Sequence, residues 1–166
     1  MNTTDNTFSV KSADDSSGFL LWRVSTLWQR GIAKALEPYD LTHSQFVLMA
    51  SIHWMTLHQV EVTQIAISDH TKIDPMTTST VLRTLQKKGL IERIEHPKDT
   101  RAKIVSLTDT GKIVTRQAVV TVELYDTNFF SVLKSQTDSF NKELVTLMHE
   151  NKASAHLNNR AERHDD

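Results

Sequence analysis

Apolar residues recur along this chain with a helical period in six stretches, and give way only once to short apolar runs around a polar tip. From Phe19 to Leu36, Leu20, Val24, Leu27 and Trp28 mark one side of a first helix, with Leu21, Ile32 and Leu36 beside them. Glu37-Pro38 predicts its end, because the residue before a proline is driven out of the helical region. Thr42 followed by Gln45 forms a capping box for a second helix. Phe46, Met49, Ala50, His53 and Trp54 make one stripe of that helix, and Leu48, Ile52 and Met55 make another. A helix apolar nearly all round belongs in the middle of a structure. Val60 to Val62 predict a short strand, and Thr63 then caps a short third helix carrying Ile65, Ala66 and Ile67.

Asp74-Pro75 opens a fourth helix with a capping carboxylate and a proline where the missing N–H costs nothing. Val81, Leu82 and Leu85 supply its apolar stripe, whereas Met76, Thr77, Ser79, Thr80, Arg83, Thr84 and Lys87 face elsewhere. Gly89 stops it. Leu90, Ile91 and Ile94, then Ile104, Val105 and Leu107, bracket the polar tip His96-Pro97-Lys98-Asp99-Thr100-Arg101, the pattern of an antiparallel hairpin. Thr108 caps a long helix expected to reach about Ser135, with Ile113, Val114, Ala118, Val122, Tyr125, Phe129, Val132 and Leu133 on one side. Asp138 opens a last helix with Phe140, Leu144, Leu147 and Met148 in helical register.

The string from Asp74 to Gly111 resembles the MarR (multiple antibiotic resistance regulator) family. The resemblance rests on Asp74-Pro75, Leu85, Lys88-Gly89-Leu90-Ile91-Glu92-Arg93, Asp99-Thr100-Arg101-Ala102-Lys103, Val105-Ser106-Leu107-Thr108 and Gly111. With flanking helices it covers roughly 19–151. His70 and Thr71 depart from it, standing where two aliphatics are common, and Lys72 replaces a frequent turn glycine. The expected fold is mainly α with a small β-wing, a winged helix-turn-helix joined to a helical dimerisation region. The expected map is a flexible tail at 1–17, dimerisation helices at 18–37 and 109–151, a DNA-binding winged helix-turn-helix at 38–108, and a fraying polar tail at 152–166.

Charge sharpens this picture. The whole chain carries −1, but from Lys72 to Lys103 eight Lys and Arg face four Asp and Glu, so 8 − 4 = +4 there and −5 elsewhere. Localised positive charge fits a protein that binds duplex DNA, and taken alone it fits an ordinary solvated charged face equally well. Thr77, Ser79, Thr80, Arg83 and Thr84 are the candidates for base edges or adjacent phosphates, and Lys87, Lys98 and Lys103 for the backbone. The resemblance further implies that Arg101 enters the minor groove with Asp99 orienting it, a narrow groove concentrating the negative potential that attracts a guanidinium. It also implies a homodimer, which the apolar terminal helices independently suggest.

Composition excludes several chemistries. There is no cysteine, hence no disulfide, thiolate nucleophile or thiol sensor. The eight histidines never fall three or four apart, so no helical metal pair is expected, nor any cofactor. No nucleophile elbow or phosphate-cradling glycine loop is present, which argues against an enzyme. No apolar run approaches membrane-spanning length, and a cytoplasmic protein without membrane partners is expected. Trp22, Trp28, Phe46, His53 and Trp54 gather flat rings near the expected hinge, where family resemblance implies a small aromatic or phenolic effector. The alternative from a different class is a winged-helix protein-interaction module without DNA affinity.

Overall fold

The computed structural model describes residues 7–97 and 103–161, with side chains as far as Asn151. Its elements are α1 (Ser17–Leu36), α2 (His43–Leu57), α3 (Gln64–Thr71), α4 (Pro75–Lys87), β1 (Ile91–Glu95), β2 (Lys103–Leu107), α5 (Asp109–Phe130) and α6 (Thr137–Ala161). Short 3-10 turns occupy Ala13–Asp15, Glu37–Tyr39 and Ser131–Gln136. The chain divides into two compact units, Met1–Tyr125 and Asp126–Asp166.

The caps fall where the sequence puts them. Thr42 accepts from the Gln45 N–H while the Gln45 side chain returns to the Thr42 N–H. Thr63 accepts from Ala66, and Asp74 from Thr77, so each helix start loses one orphaned donor. The core of the first unit draws Ile32 and Leu36 from α1, Leu48, Met49 and Ile52 from α2, Ile67 from α3, Leu82 and Leu85 from α4, and Ile91 and Val105 from the wing strands. The strands pair antiparallel from Ile91 opposite Leu107 to Glu95 opposite Lys103. A third rung comes from the α2–α3 connection. It is a single bridge from Thr63 to Ile104, with the Val105 N–H donating to the Val62 carbonyl at 2.9 Å, and not a strand over Val60 to Val62.

Two expected boundaries move. The helix expected to reach Ser135 ends at Phe130, because Lys134 takes φ 52°, ψ −123° and breaks the backbone between α5 and α6. The last helix continues beyond Asn151 to Ala161. In the second unit Phe130 meets Phe129 edge-on at 5.0 Å and tilts against Phe140 at 6.0 Å. None of the described side chains in that unit is buried.

Lys72 explains its own departure from the family pattern. It ends α3 in the left-handed region at φ 59°, a conformation in which glycine avoids the Cβ penalty. The turn that follows is held through one carbonyl. The hydroxyls of Ser68 and Thr78 both donate to the Ile73 carbonyl, at 2.7 and 3.3 Å. The α3–α4 turn is thus pinned by two side-chain hydroxyls, while Ile67, Leu82 and Leu85 pack the two helices into the core.

Candidate nucleic-acid interface

The sidedness of α4 builds the site. Thr78, Leu82 and Leu85 are fully buried and Val81 is half-buried. Thr77, Thr80, Arg83 and Lys87 are exposed, with Ser79 and Thr84 half-buried at the margins. Met76, Thr80, Arg83 and Lys87 stand at i, i+4, i+7 and i+11, so they share one solvent-facing stripe. Several of these groups are already arranged. The Arg83 guanidinium donates to Ser79 Oγ at 3.0 Å, and the hydroxyls of Thr80 and Thr84 donate to the carbonyls of Met76 and Thr80, each at 3.1 Å. At the helix start the Thr77 hydrogen bonds hold the Asp74 carboxyl below the usual carboxylate range, so the cap is ionised at neutral pH.

Not every cation of the basic segment is free for DNA. Lys88 Nζ donates to Asp40 Oδ2 at 2.9 Å, to the Asp40 carbonyl, and to Gln45 Oε1 at 3.3 Å. It thereby locks the end of α4 to the turn before α2. Arg93 donates to Gln64 Oε1 at 2.8 Å and ties β1 to the first residue of α3. Its Nε is buried without a hydrogen-bond partner, and burial, then the like charge of Arg83, lower its pKa. It remains a cation at neutral pH, as arginine does throughout proteins.

Near its tip the wing is tied to the α2–α3 connection. His96 Nε2 lies 2.8 Å from Glu61 Oε1, and Lys103 is exposed at the start of β2. Lys98, Asp99 and Arg101 lie outside the described residues. Behind the wing, Thr108 Oγ1 donates to the Gly89 carbonyl at 2.8 Å and accepts from the Gly111 N–H at 3.0 Å. A Cβ on Gly111 would sit 1.9 Å from the Leu90 carbonyl oxygen. The Leu-Thr-x-x-Gly part of the signature is thus a close approach of α5 to the chain leaving α4.

The five rings expected at the hinge occupy different surroundings. Trp22 is exposed on α1 and stacks on Phe19, at 5.8 Å. Trp28 meets His43 edge-on at 5.1 Å, and Phe46 is buried in the core. Trp54 lies between His58 and His70, with ring centroids at 3.9 and 5.0 Å. His53 lines a cleft of about 580 Å³ bounded by α2, the wing strands and the start of α5, and Trp22 a separate hollow of about 540 Å³ along α1. Thr56, Glu92, Asp109, Lys112 and Arg116 share that cleft, which mixes acids and cations. Among the described residues no group of three His, Cys, Asp or Glu is placed to hold a metal ion, and no helix is long and apolar enough to cross a membrane.

Comparison with known proteins agrees with this architecture. Residues 37–124 match the family model described as ArnR1-like, winged-helix domain. The uncharacterized HTH-type transcriptional regulator YdcH of Bacillus subtilis is 40% identical over 135 residues, covering 81% of this chain and 92% of that one. Among solved structures, the S. aureus MepR–DNA complex superposes with a TM-score of 0.75 at 21% identity, covering 81% of this chain and 98% of that one. CouR from Rhodococcus jostii RHA1 bound to p-coumaroyl-CoA gives a TM-score of 0.70 at 19% identity, covering 84% and 95%. At those identities the structural likeness concerns the fold, while the family match and YdcH carry the kinship. The chain belongs to the ArnR1-like winged-helix family and is an HTH-type, DNA-binding transcriptional regulator, with a fold shared by MarR-family structures.

Proposed function

We propose that this regulator represses transcription as a homodimer on an inverted-repeat operator, with α4 of each copy in the major groove. The observation that carries the reading is the division of α4. One side is wholly consumed by the core, and the other offers hydroxyls, Arg83 and Lys87 to solvent. Thr77, Ser79, Thr80, Arg83 and Thr84 contact base edges or neighbouring phosphates. Lys87, Lys98 and Lys103 contact the backbone, and Arg101, oriented by Asp99, takes the minor groove. Half-sites then lie roughly 34 Å apart, one turn of the duplex.

Titrating salt against binding to duplex fragments selected from random DNA tests this function. A steep fall of affinity with salt is expected, since each neutralised phosphate contributes a slope of about −0.9. Binding that is absent, or indifferent to salt, would leave a winged-helix protein-interaction module as the better reading.

Release by a small aromatic anion is the second part of the proposal, and it centres on the cleft lined by His53, Lys112 and Arg116. Its volume is within the roughly 300–1,000 Å³ common for small-ligand sites. CouR, with the same fold, was solved with an aromatic acyl thioester bound. A ligand there touches α2, β1 and α5 together and can favour one arrangement of the head. It acts only through a difference in affinity between the free and DNA-bound states. Reciprocity then requires operator DNA to weaken the ligand by the factor by which the ligand weakens DNA. Isothermal titration of p-coumarate or benzoate, with and without operator, measures both; equal affinities in the two conditions would remove the inducer role.

A further inference from the structure

The tip of α4 is less polar than its sequence suggests. Thr80 and Thr84 direct their hydroxyl protons into the helix, onto the carbonyls of Met76 and Thr80. Each hydroxyl keeps lone pairs to accept with, and each residue also carries a methyl group. Arg83 is drawn toward Ser79. In the first turn stands Met76, 81% exposed, on the side of α4 away from Leu82 and Leu85. Thr80 stands four residues after Met76 and three after Thr77, so it neighbours both on the helix surface and links a thioether and threonine side chains at the N-terminal end.

We infer that Met76, flanked by Thr77 and Thr80, reads thymine C5-methyl groups in the major groove, which makes it a specificity-determining residue for the operator. The inference rests on the placement of α4 in that groove proposed above. Residues at the start of a recognition helix are the ones that reach base edges. The thymine methyl is the apolar group on the major-groove edge, and apolar side chains recognise it by contact. Methionine suits such a contact, because its unbranched, polarizable side chain adapts to an irregular surface. A solitary exposed apolar side chain is ordinary on a protein surface. Here its position gives it a partner, since it occupies the turn whose neighbours are the hydroxyl and cation stripe offered to DNA. Beside it the Thr80 hydroxyl proton is held by the Met76 carbonyl and one Arg83 N–H by Ser79, which leaves the methyl and thioether groups of this end free for apolar contact.

The test uses the full-length protein and an operator selected from random duplexes. Each thymine is replaced in turn by deoxyuridine, which removes the methyl and leaves pairing intact. Wild type is expected to lose about fourfold in affinity for each contacted methyl, the transfer value of one buried carbon. Met76→Ala is expected to bind the thymine operator more weakly and to lose the thymine-over-uridine preference at that position. Met76→Leu is expected to keep it. Met76 has no place in the buried core, so circular dichroism should show both variants folded. A wild type indifferent to uridine at every position overturns the inference, as does Met76→Ala retaining the full preference. Either result leaves DNA binding by α4 standing, whereas salt-independent or absent binding by the wild type overturns both.

Discussion

Helices α1 and α4 are both amphipathic, and they use their apolar sides in opposite ways. In α4 the stripe of Leu82 and Leu85 is fully buried and the polar side meets solvent. In α1 only Ile32 and Leu36, near its end, are buried, while Leu21, Trp22 and Leu27 remain more than half exposed. A helix that buries its apolar side and exposes cations is suited to a charged partner such as DNA. One that exposes tryptophan and leucine in a contiguous run is suited to another protein surface. The head is thus complete within one chain, and α1 is not. That difference is the physical basis for proposing a dimer, and substitutions can break it from either side.

The largest effect is expected inside the head. Leu82→Ala removes a fully buried side chain at the junction of α4 with the core and leaves a cavity, at a cost of about 2–5 kcal/mol. Denaturant unfolding at fixed protein concentration measures it. Leu27→Ala, at a side chain 61% exposed on α1, should shift the midpoint less in that assay, and repeating it over a range of protein concentrations should make the shift concentration-dependent, as a contribution through self-association is.

Next comes the dimer itself. Leu27→Asp places a carboxylate on the exposed apolar run of α1, where association would have to desolvate it. The dimer dissociation constant should rise at least about tenfold, roughly 1.4 kcal/mol, while far-UV dichroism stays unchanged. Sedimentation equilibrium reads both forms. A wild type that is monomeric at micromolar concentration would remove the contrast between the two helices.

Two glycines then give opposite signs for the same substitution. At Gly111 a new Cβ meets the Leu90 carbonyl at 1.9 Å, a backbone atom that cannot swing aside. Gly111→Ala is expected to cost about 1–3 kcal/mol and to loosen the seat of the wing. At Gly18, in the first turn of α1, nothing lies within 4 Å of the same atom. Gly18→Ala should stabilise by about 0.4–1 kcal/mol, because alanine has fewer unfolded conformations to lose. Thermal unfolding of the pair, with binding measured alongside, separates the two.

Much of this was legible in the sequence because capping and periodicity are local. Thr42, Thr63, Asp74 and Gly89 act where their residue types predict, and the apolar stripe of α4 is buried as its spacing requires. What escaped depends on partners distant in the chain. Lys88 counts as a free cation by composition, yet Asp40, forty-eight positions away, holds it. The break at Lys134 carries no glycine or proline to announce it. The rings looked like one cluster because helical wheels show which side a residue takes and not what faces it. Trp54 stacks on histidines of α3 and its own helix end, while Trp22 stands out on α1.

The smallest expected effect lies at the start of α4 and tests how far that helix depends on its cap. Asp74 accepts the Thr77 N–H at 2.9 Å, and with the Thr77 bonds foremost its folded pKa lies below the ordinary 3.8. A carboxylate with a depressed folded pKa contributes stability that is fully present above its unfolded value and is lost as pH falls through the folded one. Asp74→Ser keeps an oxygen that can cap the helix but removes the titrating group and its favourable charge at the helix start. The variant should therefore melt slightly below wild type near neutral pH, and that gap should close as pH falls below about 4. Matched thermal melts across that range check it, and the subtraction cancels the other acids, including Asp109, whose pKa the Lys112 contact also lowers. A gap that stays constant down to the acid limit would mean the cap acts through its hydrogen bond alone.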